Sequence, residues 1–187
     1  PPPHLETRLY LHSHGAANSL AGDGVLTHEP PVGEEHTDRF VYDPLDPVPT
    51  VLGKTLMPTI AYAGIADQAE VEERADVLCY TSVPLEDPLV VHGQIKVELW
   101  ASSSAPDTDF TAKLVDVSPN GYVMNLADGI VRARYRESVK QRSLPLIPDA
   151  PTLFEIDLWD LAHTFLPGHR VRLEISSSNF PRFDRNP

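Results

Sequence analysis

The chain has one cysteine, Cys79, in 187 residues, so an internal disulfide is excluded. A lone thiol fits a reducing compartment, which favours a cytoplasmic over a secreted setting. In "ADVLCYTS" it reads as a small apolar residue of a strand, with no local base to make it a nucleophile. No run approaches the ~20 consecutive apolar residues of a membrane span, so no membrane partner is implied. Basic side chains are scarce: 15 against 27 acidic ones, for a formal charge of −12. Such a surface repels a phosphate backbone, which argues against a nucleic-acid partner. Aromatic residues make up only 7%, a poor supply for the stacking platforms of a sugar-binding module.

Proline is abundant instead, at 19 residues, beside 10 glycines. Each proline removes a backbone donor and breaks a helix interior, so the composition leans toward strands and loops. The apolar periodicity agrees, because it is mostly two. In "FEIDLWD", Phe154, Ile156 and Leu158 share one face. In "IKVELWA", Ile95, Val97 and Leu99 alternate with Lys96 and Glu98. "IVRARYR" sets Val131, Ala133 and Tyr135 against Arg132, Arg134 and Arg136, and "HRVRLEIS" sets Val171, Leu173 and Ile175 against Arg170, Arg172 and Glu174. Each run is expected to be a strand with one buried and one wet face, a pattern suited to antiparallel sheets. "TAKLVDV" reads as buried on both faces. "SPNGY", with Gly121, and Asp128-Gly129 read as turns. Strands at roughly ten-residue spacing predict a sandwich or barrel.

Residues 1–75 read as a long irregular lead-in wrapping a sandwich of residues 76–187, one domain in all. "LYLHS" and "RFVYD" are expected to be short strands within that lead-in. "DQAEVEERAD" predicts a helical turn with Asp67 as N-cap and Glu70 three residues on. "LWDLAHTF" is a second short helix candidate.

The chemistry-bearing residues form no complete constellation. Ser13 in "LHSHGAANS" lies between two histidines, but Leu11 stands where a nucleophile elbow requires glycine. The triplets Ser102–Ser104 and Ser176–Ser178 fall near strand ends, where hydroxyls cap backbone groups. His12 and His14 form an H-x-H pair without an evident third ligand, with His4, His28 and His36 nearby in sequence. Asp23 and Asp107–Asp109 do not match an EF-hand spacing and read as turn residues. The row Arg132, Arg134 and Arg136 is expected to pair with carboxylates on a wet face. His163, Phe165 and His169 read as loop and strand-start residues with no site role. No metal, no cofactor and no catalytic residue is expected within the chain.

Three long stretches carry a resemblance. "ELWASSSAPDTDFTAKLVDVSPNGYVMNLADGIVRARYRES", "FLPGHRVRLEISSSNFPRFDRNP", and the lead-in "SLAGDGVLTHEPP" with "DRFVYDPLDPVPTVLGK" resemble the C-terminal domain of the X-Pro dipeptidyl-peptidase and cocaine-esterase family of serine hydrolases. The resemblance implies a jelly-roll-like antiparallel β-sandwich packed on an α/β-hydrolase domain of the same chain. It implies that the catalytic Ser, Asp and His belong to that partner domain, which would cleave a small ester, amide or X-Pro peptide. Family members continue past "RFDRN" with further strands. The turn-rich end and the start "PPPHLETRLYL" therefore give the expectation of one domain cut from a larger protein. Missing strands would leave an edge open to pairing and so to homo-oligomers. The family's loop after its Gly-rich turn helps form the acyl pocket. The matching stretch is "GKTLMPTIAYAG", Gly53 to Gly64, with Lys54 where a second glycine is usual and Pro58 in place of a bulkier residue. On that basis Leu56, Met57 and Pro58 are the expected substrate-contacting residues. The alternative reading is an independent carbohydrate- or ligand-binding jelly-roll module.

Overall fold

The computed structural model describes residues 5–54 and 63–187, and the expected substrate residues Leu56, Met57 and Pro58 lie outside them. Eight strands are described: β1 (Tyr10–His12), β2 (Val25–Thr27), β3 (Leu78–Thr81), β4 (Leu89–Ala101), β5 (Asp109–Val117), β6 (Val123–Arg132), β7 (Thr152–Phe165) and β8 (Arg170–Ser176). One α-helical turn, α1 (Ala69–Glu72), precedes β3, and a 3-10 turn (Ala133–Tyr135) follows β6. Six strands form one sheet in the order β1-β2-β3-β8-β5-β6, while β4 and β7 pair separately. All pairings are antiparallel except β2 with β3, so the larger sheet is mixed rather than purely antiparallel.

The period-two runs build the core. Phe154, Ile156 and Leu158 of β7 are fully buried, and with Val97 of β4 they share a core with Phe110, Ala112 and Leu114 of β5 and Leu173 and Ile175 of β8. The rings of Phe110 and Phe154 lie 4.8 Å apart, tilted by 52°. Both sheets thus share one core, and each such side chain contributes about 1.5–3 kcal/mol by leaving water. "TAKLVDV" is buried on both faces, as its composition predicted.

Four expectations need correction. "LWDLAHTF" is not a helix; it is the second half of β7. Gln94 pairs with Asp160 and Lys96 with Asp157, so β7 holds one residue more than its partner between these pairs. That bulge reverses which face each residue presents. Even positions up to Leu158 point inward; after it Phe165 is buried instead. Trp159 takes the left-handed φ of 69° that the extra residue needs, and the Asp157 carboxylate accepts its backbone N–H at 2.8 Å.

Asp128-Gly129 is not a turn; both residues lie inside β6. A Cβ at Gly129 would sit 2.2 Å from the carbonyl oxygen of Asp157, so glycine lets β6 approach β7. "RFVYD" forms no strand, while "VLT" at 25–27 does. "IVRARYR" remains extended only to Arg132.

Candidate functional site

The chain leaves the described residues after Lys54 and returns at Ala63, and its two limbs are tied at their base. Gly53 and Gly64 exchange two backbone hydrogen bonds, Gly53 N–H to Gly64 O at 2.8 Å and Gly64 N–H to Gly53 O at 2.9 Å. Gly53 holds φ of 94° there, which glycine adopts without strain. From β6, Asn125 accepts the Ala66 N–H through Oδ1 at 2.7 Å and donates through Nδ2 to Gly64 O at 3.4 Å.

Gln68, fully buried at the start of α1, donates through Nε2 to Val51 O at 3.1 Å and to Ala66 O at 3.2 Å. Its Oε1 accepts from Lys113 Nζ at 2.8 Å. An ammonium only donates, so Lys113 fixes which way the Gln68 amide points. The predicted cap, Asp67, lies one residue before the helix boundary, and its Oδ1 accepts the N–H groups of Ala69 and Val123, each at 3.1 Å.

Lys113 leads into a buried ionic cluster. Its Nζ lies 3.0 Å from Glu174 Oε2. Arg172 donates to Glu72 Oε2 and, through Nε, to Thr81 Oγ1 at 2.7 Å. Glu72 and Glu174 are 0% and 4% exposed, so the expected wet face of β8 is covered. Among the described residues the second oxygen of each, Oε1, is buried with no geometrically formed hydrogen bond. Burial, and then the charge of Glu174, push the Glu72 carboxyl up to about 8 against the pull of Arg172. Burial, with the carboxylates of Glu72 and Glu174, also raises the Cys79 thiol well above its ordinary value, consistent with an inert core cysteine. A cavity of about 210 Å³ lies beside the tied limbs, bordered by Thr50, Leu52, Gly53, Lys113, Asn125 and Asp128.

The other sequence candidates are occupied elsewhere. Ser13 donates from Oγ to Asp38 Oδ2 at 2.6 Å, and Tyr80 donates to the same oxygen at 2.7 Å. The serine thus meets a carboxylate rather than an imidazole, and the contact anchors the lead-in. His12 contacts Glu35 through Nδ1 at 2.6 Å and Glu29 O through Nε2 at 2.9 Å, and the Glu35 contact raises its pKa. Among the described residues no group of three or more His, Cys, Asp or Glu could hold a metal ion. Likewise, no described helix is long and apolar enough to cross a membrane.

Asp23 accepts the backbone N–H groups of His14 and Ala16, nine and seven residues away, and Asp109, expected in a turn, instead opens β5. Ser176 and Ser178 are buried, and Ser178 Oγ accepts the Val48 N–H at 2.9 Å.

The arginine row does pair with carboxylates. Arg132 grips Asp109 with two bonds of 2.8 Å, and Arg134 binds Asp107. Asp109 is only 1% exposed, so the first of these pairs is buried rather than wet. One cluster escaped the sequence reading. His163 Nε2 and His169 Nδ1 contact the two oxygens of buried Asp116, at 2.8 and 2.7 Å. The three residues come from three strands or strand ends, and no local spacing announces them.

Comparison with known proteins supplies the context for this geometry. The family model of the X-Pro dipeptidyl-peptidase C-terminal non-catalytic domain matches residues 1–187. The chain is 48% identical to cocaine esterase of a Rhodococcus species over 182 residues, 96% of this chain and 31% of that protein. The crystal structure of an aminopeptidase from a marine-sediment Thaumarchaeota archaeon superposes with a TM-score of 0.81 at 35% identity, over 100% of this chain and 31% of the other. An α-amino acid ester hydrolase matches with a TM-score of 0.81 at 36% identity, over 96% of this chain and 30% of the other. The chain therefore spans about a third of the length of these relatives. It belongs to the family of X-Pro dipeptidyl-peptidase C-terminal non-catalytic domains.

Proposed function

We propose that residues 1–187 form one jelly-roll-like sandwich domain of a longer serine acyl hydrolase. In this reading the domain stabilises an α/β-hydrolase domain of the same protein and completes its substrate pocket. The parent cleaves a small ester, amide or X-Pro peptide through an acyl-enzyme. The carrying observation is the match of the whole chain to a non-catalytic domain family, with relatives three times as long named as an esterase and an ester hydrolase. The tied limbs at Gly53 and Gly64 support a role for the segment between them, from which Leu56, Met57 and Pro58 contact the acyl group. The test is Met57→Ala in the full-length protein. The ratio of kcat/KM between two esters that share an alcohol and differ in acyl group should change about tenfold, the scale of one or two lost methylenes in a pocket. An unchanged ratio with a lowered melting temperature refutes substrate contact.

A second reading has one observation in its favour. Trp100 and Trp159, on β4 and β7, are 70% and 65% exposed, as stacking residues of a sugar-binding module would be. Titration with neutral oligosaccharides should leave their fluorescence unchanged if the hydrolase reading holds; saturable quenching would support the sugar-binding one.

A further inference from the structure

Five asparagines occur in the chain, and only Asn120, in the "SPNGY" turn from β5 to β6, is followed by glycine. Ser19, Leu126, Phe180 and Pro187 follow the others. Those four are also tied to distant parts of the fold. Asn18 Nδ2, for example, donates to Arg39 O and Ala75 O, each at 2.8 Å. The Asn120 side chain bonds only to its neighbours in the turn.

The turn is closed by Gly121 N–H to Ser118 O and by Ser118 N–H to Tyr122 O, both at 2.9 Å. Asn120 and Gly121 are exposed. Gly121 holds φ of 88°, and no atom lies within 4 Å of where its Cβ would stand. Asn120 Oδ1 accepts the Tyr122 N–H at 3.2 Å. It also accepts from the Ser118 hydroxyl, whose one proton it shares with Tyr122 O at 3.0 Å. An Asx turn of this kind closes a ring that contains both Asn120 Cγ and the Gly121 nitrogen, which keeps the two close. The donors on Oδ1 polarise the Cγ carbonyl and face the oxygen where negative charge builds during attack.

We propose that Asn120 is a self-modifying residue, and that its conversion to aspartate and isoaspartate changes the charge and the backbone of the β5–β6 turn. The Gly121 nitrogen, losing its proton to hydroxide, forms a bond to Asn120 Cγ. The Cγ–Nδ2 bond breaks, and Nδ2 leaves as ammonia with a proton taken from water. Water then opens the cyclic imide. Opening at Cγ leaves aspartate. Opening at the main-chain carbonyl leaves isoaspartate, whose backbone runs through Cβ and Cγ and is longer by a carbon. Water is the only co-reactant. Holding nucleophile and carbonyl in one ring supplies the rate, and glycine leaves the attacking nitrogen unhindered.

The two products differ in their effect on the fold. Aspartate adds a negative charge and keeps an acceptor for Ser118 and Tyr122. Isoaspartate lengthens a turn that packs closely on the one between β7 and β8, where a Cβ on Gly168 would stand 3.3 Å from Pro119 Cγ. The isoaspartyl form should therefore exchange its Gly121 and Tyr122 amides faster, while β8 amides stay protected.

The test incubates the full-length protein at about pH 8 and 37 °C and maps its peptides by mass spectrometry, beside the same protein unfolded in urea. Asn120 should gain about 1 Da before any other asparagine of residues 1–187 does, in two separable products. One of them should accept a methyl group from an isoaspartyl methyltransferase. Asn120→Gln should abolish the gain, because its longer side chain must close a larger ring. Gly121→Ala should slow it about tenfold by crowding the nitrogen and straining φ. An Asn120 still intact in the folded protein when the unfolded one has converted overturns the proposal. So does an earlier gain at another of these asparagines, or an unchanged rate in Gly121→Ala. Should Gly121→Ala fail to fold, Asn120→Gln and the urea comparison decide, and a gain that survives Asn120→Gln refutes the assignment.

Discussion

Stability of this chain should fall as pH rises from about 4.5 to about 8, and Glu72 is the reason. The Glu72 carboxyl is pushed from its ordinary value near 4.5 up to about 8, by burial first and then by Glu174. Below about pH 4.5 the folded and unfolded chains both carry its proton, and no difference arises. Between the two values the unfolded chain has released the proton and the folded chain retains it. The folded state binds more protons there, so each increment of pH favours unfolding. Above about 8 both forms are ionised and the loss is complete.

Each tenfold change in proton affinity is worth about 1.4 kcal/mol, which puts a ceiling of about 5 kcal/mol on the effect. Glu174, Arg172 and Lys113 readjust as the proton leaves, so the expressed loss should be about 2–3 kcal/mol. For a chain of this size that lowers the melting temperature by about 4–12 °C. His12 acts with the same sign. The Glu35 contact raises its pKa above 6.5, so its stabilisation is complete below about 6.5 and is lost as pH rises through the higher folded value. The interval from 4.5 to 6.5 therefore isolates Glu72. Urea unfolding at half-unit steps, on wild type and on Glu72→Gln, reads it directly. Glutamine keeps an acceptor for Arg172 and cannot ionise, so the variant should lose the slope between 4.5 and 6.5. A wild-type stability that rises across this interval, or a slope that survives Glu72→Gln, refutes the reasoning.

Other substitutions probe the fold independently. Gly129→Ala places a Cβ 2.2 Å from the Asp157 carbonyl and should cost about 2–3 kcal/mol by forcing β6 from β7; a melting temperature within a degree of wild type would contradict that packing. Phe154→Ala removes a fully buried ring at the junction of the two sheets and should cost about 3–5 kcal/mol in chemical denaturation. Cys79, 3% exposed with its thiol pKa raised, should react with a thiol reagent only as fast as the chain unfolds, and prompt labelling of the folded chain would disprove its burial.

How much of this was legible in the sequence depends on how local each cause is. The core faces of β4, β7 and β8 follow from alternation alone, because side-chain direction in a strand has a period of two. Alternation failed where the structure breaks its own phase. At Trp159 one extra residue shifts the inward set from Leu158 to Phe165, and the resulting spacing of Leu158, Leu161 and Phe165 imitates a helix. Gly129 resembled a turn because glycine marks both turns and close approaches; the approaching carbonyl of Asp157 is distant in sequence. Arg172 and Glu174 looked solvent-facing because nothing in "VRLEIS" reveals that α1 covers them.

The candidate site was least legible of all. Gln68, Lys113 and Asn125 are ordinary polar residues in sequence, and their meaning comes only from long-range contacts. Family resemblance pointed to the segment Gly53–Gly64; the structure contributed the side chains that hold its ends.

The central claim is that this chain carries no catalytic centre of its own. The most direct measurement is hydrolysis of activated aryl esters by the purified 187-residue chain beside its Ser13→Ala variant. The account predicts that both remain at the rate of the buffer. Turnover by the chain that disappears in Ser13→Ala would contradict it.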